Sequence, residues 1–146
     1  MSVKLTSYIN FNGNAAEALE FYQAVFGGTV ESDTFGGFNE ASGGAMPVPD
    51  EDKDKIMHAT LTGEHVELMI SDYPSSWENK PSESNIVLSL SGDDDATLRS
   101  YWDQLVNGGT VSEPLSIAPW GDAFGSVTDK FGVSWMVNIS SAPQNS

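Results

Sequence analysis

Two strand-like segments of this chain carry the residues best suited to chemistry, His58 and Glu67. They lie in IMHATL and VELMIS, which alternate apolar and polar residues as half-buried strands do. The turn signal between them, Gly63-Glu64, predicts a two-residue hairpin. In that register Thr60 lies opposite Glu67 and His58 opposite Met69, so His58 and Glu67 become diagonal neighbours on one face.

A histidine beside a carboxylate supports two interpretations. The pair can act as an acid–base couple or supply two ligands to a metal ion, because the carboxylate orients the imidazole ring. Alternatively, His58 is a lone sheet histidine satisfied by one hydrogen bond. The sequence leaves both open, and we name His58 and Glu67 as the candidate catalytic residues.

Aromatic and polar residues on neighbouring predicted strands suggest a ligand surface. Trp120 and Phe124, in WGDAFG, could stack on an apolar or aromatic ligand. In the structural alternative these rings fill core and the two glycines serve a bulge. The predicted ligand-binding set comprises Tyr8, Asn10, Thr60, Met69, Trp120 and Phe124.

Composition narrows the possible classes of protein. The 146 residues suit one domain, residues 1–146, and the absence of cysteine excludes disulfides and thiolate metal sites. A net charge of −15 repels phosphate backbones and anionic membranes, so neither nucleic acid nor membrane is expected as a partner. No segment resembles a membrane span or a signal peptide, which predicts a cytoplasmic protein.

An internal repeat organises the elements. FGGTVES at 26–32 returns as NGGTVSE at 107–113, and each copy follows an amphipathic segment. The repeat predicts two modules, about 3–71 and 85–139, each with one strand, one helix and three strands. The helices are expected near 14–26 and 94–107, and the Gly- and Pro-rich stretch 36–55 is expected to be a loop without a helix.

Local signals predict the helix ends and the strand faces. Asn14 with Glu17 resembles a capping box, and Gly27 and Gly108 suit left-handed positions after the helices. One set of strand residues should pack on the helices: Leu68, Ile70, Ile86, Leu88, Leu90, Trp135 and Val137. The fold class predicted is α+β, with a curved, cup-shaped mixed sheet that carries its helices on the outer face and binds a small molecule on the other.

Three segments resemble the vicinal oxygen chelate superfamily of glyoxalase, bleomycin-resistance and extradiol-dioxygenase proteins, and more closely its PhnB-like branch. They are YINFNGNAAEALEFYQAVFGG, MHATL with ELMISD, and WGDAFGSVTDKFGVSWMVN. The resemblance implies paired subunits, here a homodimer. It also implies four metal-ligand positions, which fall on Thr6, Glu67, Asn85 and Met136.

Only Glu67 among those four positions is a strong ligand for a hard divalent ion. We therefore expect no resident cofactor, although a weakly bound divalent metal is conceivable. The function expected is binding of a small organic ligand in the cup. The alternative is a metal-assisted lyase, isomerase or dioxygenase that uses His58 and Glu67.

Overall fold

The chain folds into two compact units, Met1–Pro81 and Ser82–Ser146, in a computed structural model. The structure describes residues 4–41, 43, 48–75 and 86–141. The first unit contains β1 (Ser7–Phe11), α1 (Ala15–Phe26), β2 (Thr29–Thr34), α2 (Phe35–Ala41), β3 (Ile56–Thr62) and β4 (Glu67–Asp72). The second contains β5 (Leu88–Gly92), α3 (Asp95–Leu105), β6 (Thr110–Ile117), β7 (Ala123–Thr128) and β8 (Ser134–Ile139).

Each unit builds one four-stranded mixed sheet, and the two sheets have the same topology. The strand orders are β1-β4-β3-β2 and β5-β8-β7-β6. In both, the first strand pairs in parallel with the last, and the remaining neighbours are antiparallel. The predicted α+β class and the doubling of the module are thus confirmed.

The helices bury the stripes that their sequences predict. Both helices pack on strands of their own unit, α1 on β3 and β4, and α3 on β5 and β8. The buried residues of α1 are Ala15, Ala18, Leu19, Tyr22, Val25 and Phe26, and those of α3 are Leu98, Tyr101, Trp102 and Leu105. On the strands, Leu68, Ile70, Trp135 and Val137 are buried as expected. Ile86 is 69% exposed instead, because it precedes β5 and so lies outside the sheet.

The segment after β2 differs from the sequence prediction, because α2 begins where a loop was expected. The Thr34 hydroxyl accepts a hydrogen bond from the amide of Gly37 at 2.9 Å, which caps the new helix. The amides of Phe35 and Gly36 donate to the carbonyls of Lys55 and Lys53. Two glycines in FGGFNEA lower helix propensity, so local preference favours a loop and tertiary contacts override it.

The repeated Gly-Gly pair has the same structural role in both units. Gly27 and Gly108 have positive φ angles of 71° and 81°, which glycine adopts without strain. A Cβ atom on Gly28 or Gly109 would collide with a backbone carbonyl at the end of a neighbouring strand. One difference from expectation is that α3 ends at residue 105, so Gly108 lies in the following turn rather than directly after the helix.

The start of α1 is capped by a distant residue and not by Asn14. The Asn14 side chain makes no capping hydrogen bond. Instead, Asp72 Oδ1 accepts from the amides of Gly13 and Ala15, both at 2.9 Å, and its Oδ2 accepts from the amide of Ile56 at 2.9 Å. The buried carboxylate therefore joins the ends of β1, β3 and β4 to the helix. The second long helix, α3, has a local cap instead, since Asp94 accepts from the amide of Thr97 at 3.1 Å.

Within the described residues, no helix is both long enough and apolar enough to span a membrane.

Candidate ligand-binding surfaces

The face of the first sheet opposite α1 brings several of the predicted residues together. Tyr8 lies directly opposite Met69, and Met69 directly opposite Thr60. Directly paired residues project to one face, so these three side chains form a row across β1, β4 and β3. Asn10 lies on the same face of β1, two residues after Tyr8, opposite Ser71.

His58 also belongs to this face. It is two residues from Thr60 and alternates with the buried Ala59. Its Nε2 atom lies 3.4 Å from Thr60 Oγ1, and its ring stacks on Tyr8 with centroids 5.8 Å apart and planes inclined by 27°. Tyr8 remains 49% exposed, so part of its ring is accessible to solvent and to a ligand.

The predicted diagonal between His58 and Glu67 is wrong. Four residues connect β3 to β4, and the Gly63 amide closes this loop on the Val66 carbonyl at 2.8 Å. Thr62, and not Thr60, therefore lies opposite Glu67. This places His58 and Glu67 four positions apart, about 13 Å along the strand direction. They share a face, but not a diagonal contact.

Each of the two candidate catalytic residues has different neighbours from those expected. Glu67 forms an ion pair with Lys4, which precedes β1. His58 lies opposite Asp33 of β2 in the antiparallel register. Asp33 was missed in the sequence, although the alternation of TVESDT places it with Glu31 on one face of β2. The catalytic roles of His58 and Glu67 remain predictions.

The four family metal positions are only partly described. Thr6 precedes β1, Glu67 begins β4, and Met136 lies in β8 opposite Ser126. Asn85 lies outside the described residues. Across the described ranges, no three His, Asp or Glu side chains come close enough to form a metal site. The donor types at Thr6 and Met136, a neutral hydroxyl and a soft thioether, also fit a hard divalent ion poorly.

The second unit contains a pocket of about 460 Å³ beside its edge strand β6. Trp120 and Phe124 form an aromatic corner there, with ring centroids 5.7 Å apart in an edge-to-face arrangement. The remaining lining residues are Ser112, Glu113, Ser116, Ile117, Ala118, Pro119 and Ser126. Phe124 alternates with the buried Ala123 and with Gly125, which abuts Trp102. The pocket therefore lies on the helix-free face of this sheet.

Hydrogen bonds hold Trp120 in place although its side chain is largely in solvent. Its indole Nε1 donates to Asn138 Oδ1 over 3.4 Å, and Asn138 Nδ2 donates to Asp122 Oδ2 at 3.1 Å. The hydrogen bonds from Asn138 and from the Ser141 amide hold the pKa of Asp122 below its usual value. Gly121 closes the connecting turn with a φ of 98° and a bond to the Ala118 carbonyl, so it serves a turn and not a bulge.

An irregularity in β6 brings Glu113 to this pocket. The register with β7 shifts on both sides of Glu113, which lies opposite Ser126. Ser112 also reaches Ser126, with the two hydroxyl oxygens 2.7 Å apart. A bulge sets two residues against one and redirects a side chain. Sequence reasoning missed Glu113, and the available signal was Pro114, which is tolerated only at an edge strand or a bulge.

Two sheets of identical order, each with a parallel outer pair, an antiparallel hairpin and helices on one face, define a protein built from a doubled βαβββ module. A sequence model of the Glyoxalase/Bleomycin resistance protein/Dioxygenase superfamily matches residues 5–137, and the chain therefore belongs to that superfamily. The resemblance inferred from the sequence motifs is thereby confirmed.

Individual relatives agree with this assignment. The chain is 29% identical to protein YjdN of Escherichia coli (strain K12) over 147 residues, which covers 92% of this chain and 94% of that protein. The crystal structure of protein PA1353 from Pseudomonas aeruginosa is similar with 36% identity, coverage of 95% and 98%, and a TM-score of 0.78. A Bacillus cereus PhnB protein, described as a putative 3-demethylubiquinone-9 3-methyltransferase, is similar with 25% identity, coverage of 94% and 100%, and a TM-score of 0.64.

Proposed function

We propose that this PhnB-like chain binds a small organic ligand, with the pocket beside Trp120 and Phe124 as the principal contact in the second unit. The observation that carries the proposal is that Trp120 is exposed to solvent and is nevertheless held in place by its neighbours. Its side chain is 61% exposed, yet it is held by Asn138 and by its contact with Phe124. A large apolar ring kept in solvent and oriented by a hydrogen bond and a ring contact is suited to stack on a ligand.

The dimensions and chemistry of the pocket support the same proposal. A volume near 460 Å³ lies within the range of about 300 to 1,000 Å³ that small-molecule sites occupy. The wall combines aromatic and aliphatic groups with three serine hydroxyls, at Ser112, Ser116 and Ser126. Such a mixture supplies apolar contact area together with a few hydrogen bonds that orient a ligand.

The first unit offers a second set of contacts with similar character. Tyr8 and His58 stack over the row that contains Met69 and Thr60. The stacked rings, the thioether of Met69 and the hydroxyl of Thr60 together suit an organic molecule that has both apolar and polar groups. We include Tyr8, Asn10, Thr60 and Met69 in the proposed ligand-binding set on this basis.

Methyl transfer, which the description of the Bacillus cereus protein suggests for that protein, is not part of the proposal. The nucleotide cofactor of a methyltransferase usually binds at a glycine-rich turn that joins a strand to a helix. That helix leads to an adjacent parallel strand. Here each parallel pair is separated in sequence by a helix and an antiparallel hairpin. We therefore limit the proposed activity to binding.

A thermal-shift screen of small organic compounds tests the proposal. A compound that binds only the folded state raises Tm, and hits should lose most of this shift in Trp120→Leu. Val111→Ala is the control, because Val111 is an exposed apolar residue of β6, the strand before Trp120, and lies outside the pocket lining. Hits that bind Trp120→Leu as tightly as the parent protein would overturn the assignment of this pocket.

A further inference from the structure

We propose that the pocket beside Trp120 selects flat organic cations over neutral and anionic molecules of the same shape. This inference rests on the proposed function, because it names the class of ligand for that same pocket. Two observations carry it: the position of Glu113 relative to the aromatic corner, and the distribution of charge in the second unit.

Among the described residues that line the pocket, Glu113 is the only charged one. The irregularity in β6 sets it opposite Ser126, which lies two residues along β7 from Phe124 and therefore on the same face. Among the described residues, no lysine or arginine forms an ion pair with it. Its carboxylate is therefore available to a bound cation, with no lysine or arginine of the described chain to displace.

Positive charge in the second unit lies away from the pocket. The described part of this unit has two basic residues, Arg99 and Lys130. Arg99 is on α3, which packs against the other face of the sheet, and its Nε donates to Asp95 at 3.0 Å. Lys130 lies in the turn after β7, where its Nζ is 5.6 Å from the ring centroid of Phe131. Neither one neutralises the carboxylate at the pocket.

Negative charge, in contrast, lies close to the pocket. Of the described acids of this unit, Asp93, Asp94, Asp95 and Asp103 lie at α3 on the other face of the sheet and Asp129 is buried in the turn after β7, so Glu113 and Asp122 are the acids beside the pocket. Asp122 stays ionised near neutral pH, because hydrogen bonds from Asn138 and Ser141 hold its pKa down. It also fixes Asn138, and through it Trp120. The potential at the pocket therefore attracts cations and repels carboxylates and phosphates.

The aromatic corner adds a preference for delocalised positive charge. The face of an indole ring attracts a cation within about 6 Å of its centroid, and Trp120 has a large exposed area to offer. The serine hydroxyls that complete the wall are neutral, so they impose no competing charge. A flat cation can stack on Trp120 and keep its charge near Glu113, whereas a neutral ring gains the stacking alone.

Isothermal titration calorimetry with three probes of matched shape tests the inference: N-methylquinolinium, quinoline and 2-naphthoate. At low ionic strength we expect the cation to bind roughly tenfold more tightly than quinoline, and the anion to bind more weakly than quinoline. Raising the salt concentration should reduce the preference, since exposed charges are screened.

Two variants assign the preference to Glu113. Glu113→Gln should weaken binding of the cation severalfold and leave quinoline's Kd unchanged, while the attraction of the Trp120 ring for the cation remains. Asp103→Asn is the matched control, because it removes the same charge from an exposed position on α3 and should leave all three Kd values unaltered. Circular dichroism confirms that both variants are folded.

The outcomes separate this inference from the proposed function. Equal Kd values for the cation and for quinoline, both weakened by Trp120→Leu, would leave ligand binding intact and overturn cation selection. Tightest binding of 2-naphthoate would overturn it as well. A cation preference that Glu113→Gln does not reduce would remove Glu113 as a source of it and contradict the inference. Binding of no probe by the parent protein would count against both proposals.

Discussion

Asp72 Oδ1 lies 2.9 Å from the backbone nitrogen of Ala15, so the last residue of β4 caps a helix that begins 57 residues earlier in the chain. The carboxylate is 2% exposed and also accepts bonds from Gly13 and Ile56. Buried amides that lose their acceptor keep their full desolvation cost. The long-range cap therefore couples the helix to the sheet of the first unit.

Asp72→Ala should lower the free energy of unfolding by about 2 to 4 kcal/mol, because three amide donors lose their partner. Asn14→Ala, at the cap position expected from the sequence, should cost less than about 0.5 kcal/mol, since its side chain makes no capping bond. Urea denaturation of both variants checks this. Equal costs for the two substitutions would contradict the assignment of the cap to Asp72.

A second buried carboxylate should make stability depend on pH. Burial alone would raise the pKa of Asp52, but hydrogen bonds from Lys55 and from Ser75 outweigh it and hold the pKa below the ordinary value of 3.8. Lys55 Nζ lies 3.0 Å from one carboxylate oxygen, and Ser75 Oγ lies 2.8 Å from the other. A lowered folded-state pKa stabilises the fold at pH above the unfolded-state value, and this stabilisation is lost as pH falls through the folded-state pKa.

Asp52→Asn should therefore destabilise the protein by about 1 to 2 kcal/mol near neutral pH through loss of the charge-assisted bonds. The difference in free energy of unfolding between the variant and the parent protein should become smaller below about pH 4, because the parent's Asp52 carboxylate then becomes protonated and loses its charge. Urea denaturation at several pH values measures both effects. Asp50→Asn is the control, because Asp50 is an exposed acid of the same segment. A difference that does not change with pH would contradict this prediction.

Divalent ions should bind weakly at the positions that hold metal in the family. Glu67 is engaged by Lys4, and the positions at Thr6 and Met136 offer poor donors for hard ions. We expect equimolar Zn²⁺ or Mn²⁺ to raise Tm by less than about 1 °C. One tightly bound ion per chain, lost in both Glu67→Gln and His58→Gln, would instead support the metal-assisted lyase, isomerase or dioxygenase.

The protein should form a homodimer in solution. Each sheet has two edge strands, and exposed apolar side chains precede one edge of each: Leu5 is 99% exposed before β1, and Ile86 is 69% exposed before β5. Unpaired edges with apolar neighbours favour association. Light scattering at micromolar concentration should give about twice the chain mass of 15.7 kDa. A mass that stays at that of one chain on concentration would contradict the prediction.

The elements of this fold could be predicted because their signals are local. The helical stripe from Ala15 to Phe26 follows from residue spacing alone, and the repeated Gly-Gly pair reveals the doubled module. Strand alternation also predicts faces correctly, since His58 and Thr60 project away from the buried Leu61. The short helix α2 could not be found this way, because contacts with Lys53 and Lys55 outweigh the low helix propensity of its glycines.

The sequence by itself determined the module, the helices and the face on which each strand residue lies, because residue periodicity follows directly from helix and strand geometry. Only the tertiary structure decided which side chains on a face are neighbours. A four-residue loop in place of a two-residue turn changes the residue opposite Glu67 from Thr60 to Thr62. This shifts the pairing of β3 with β4 by two residues, and a shift by an even number leaves every side chain on its original face. Alternation cannot detect such a shift, nor can it show that Asp72 caps α1 or that Glu113 and Trp120 line one pocket. Those relationships depend on register and chain packing between distant residues.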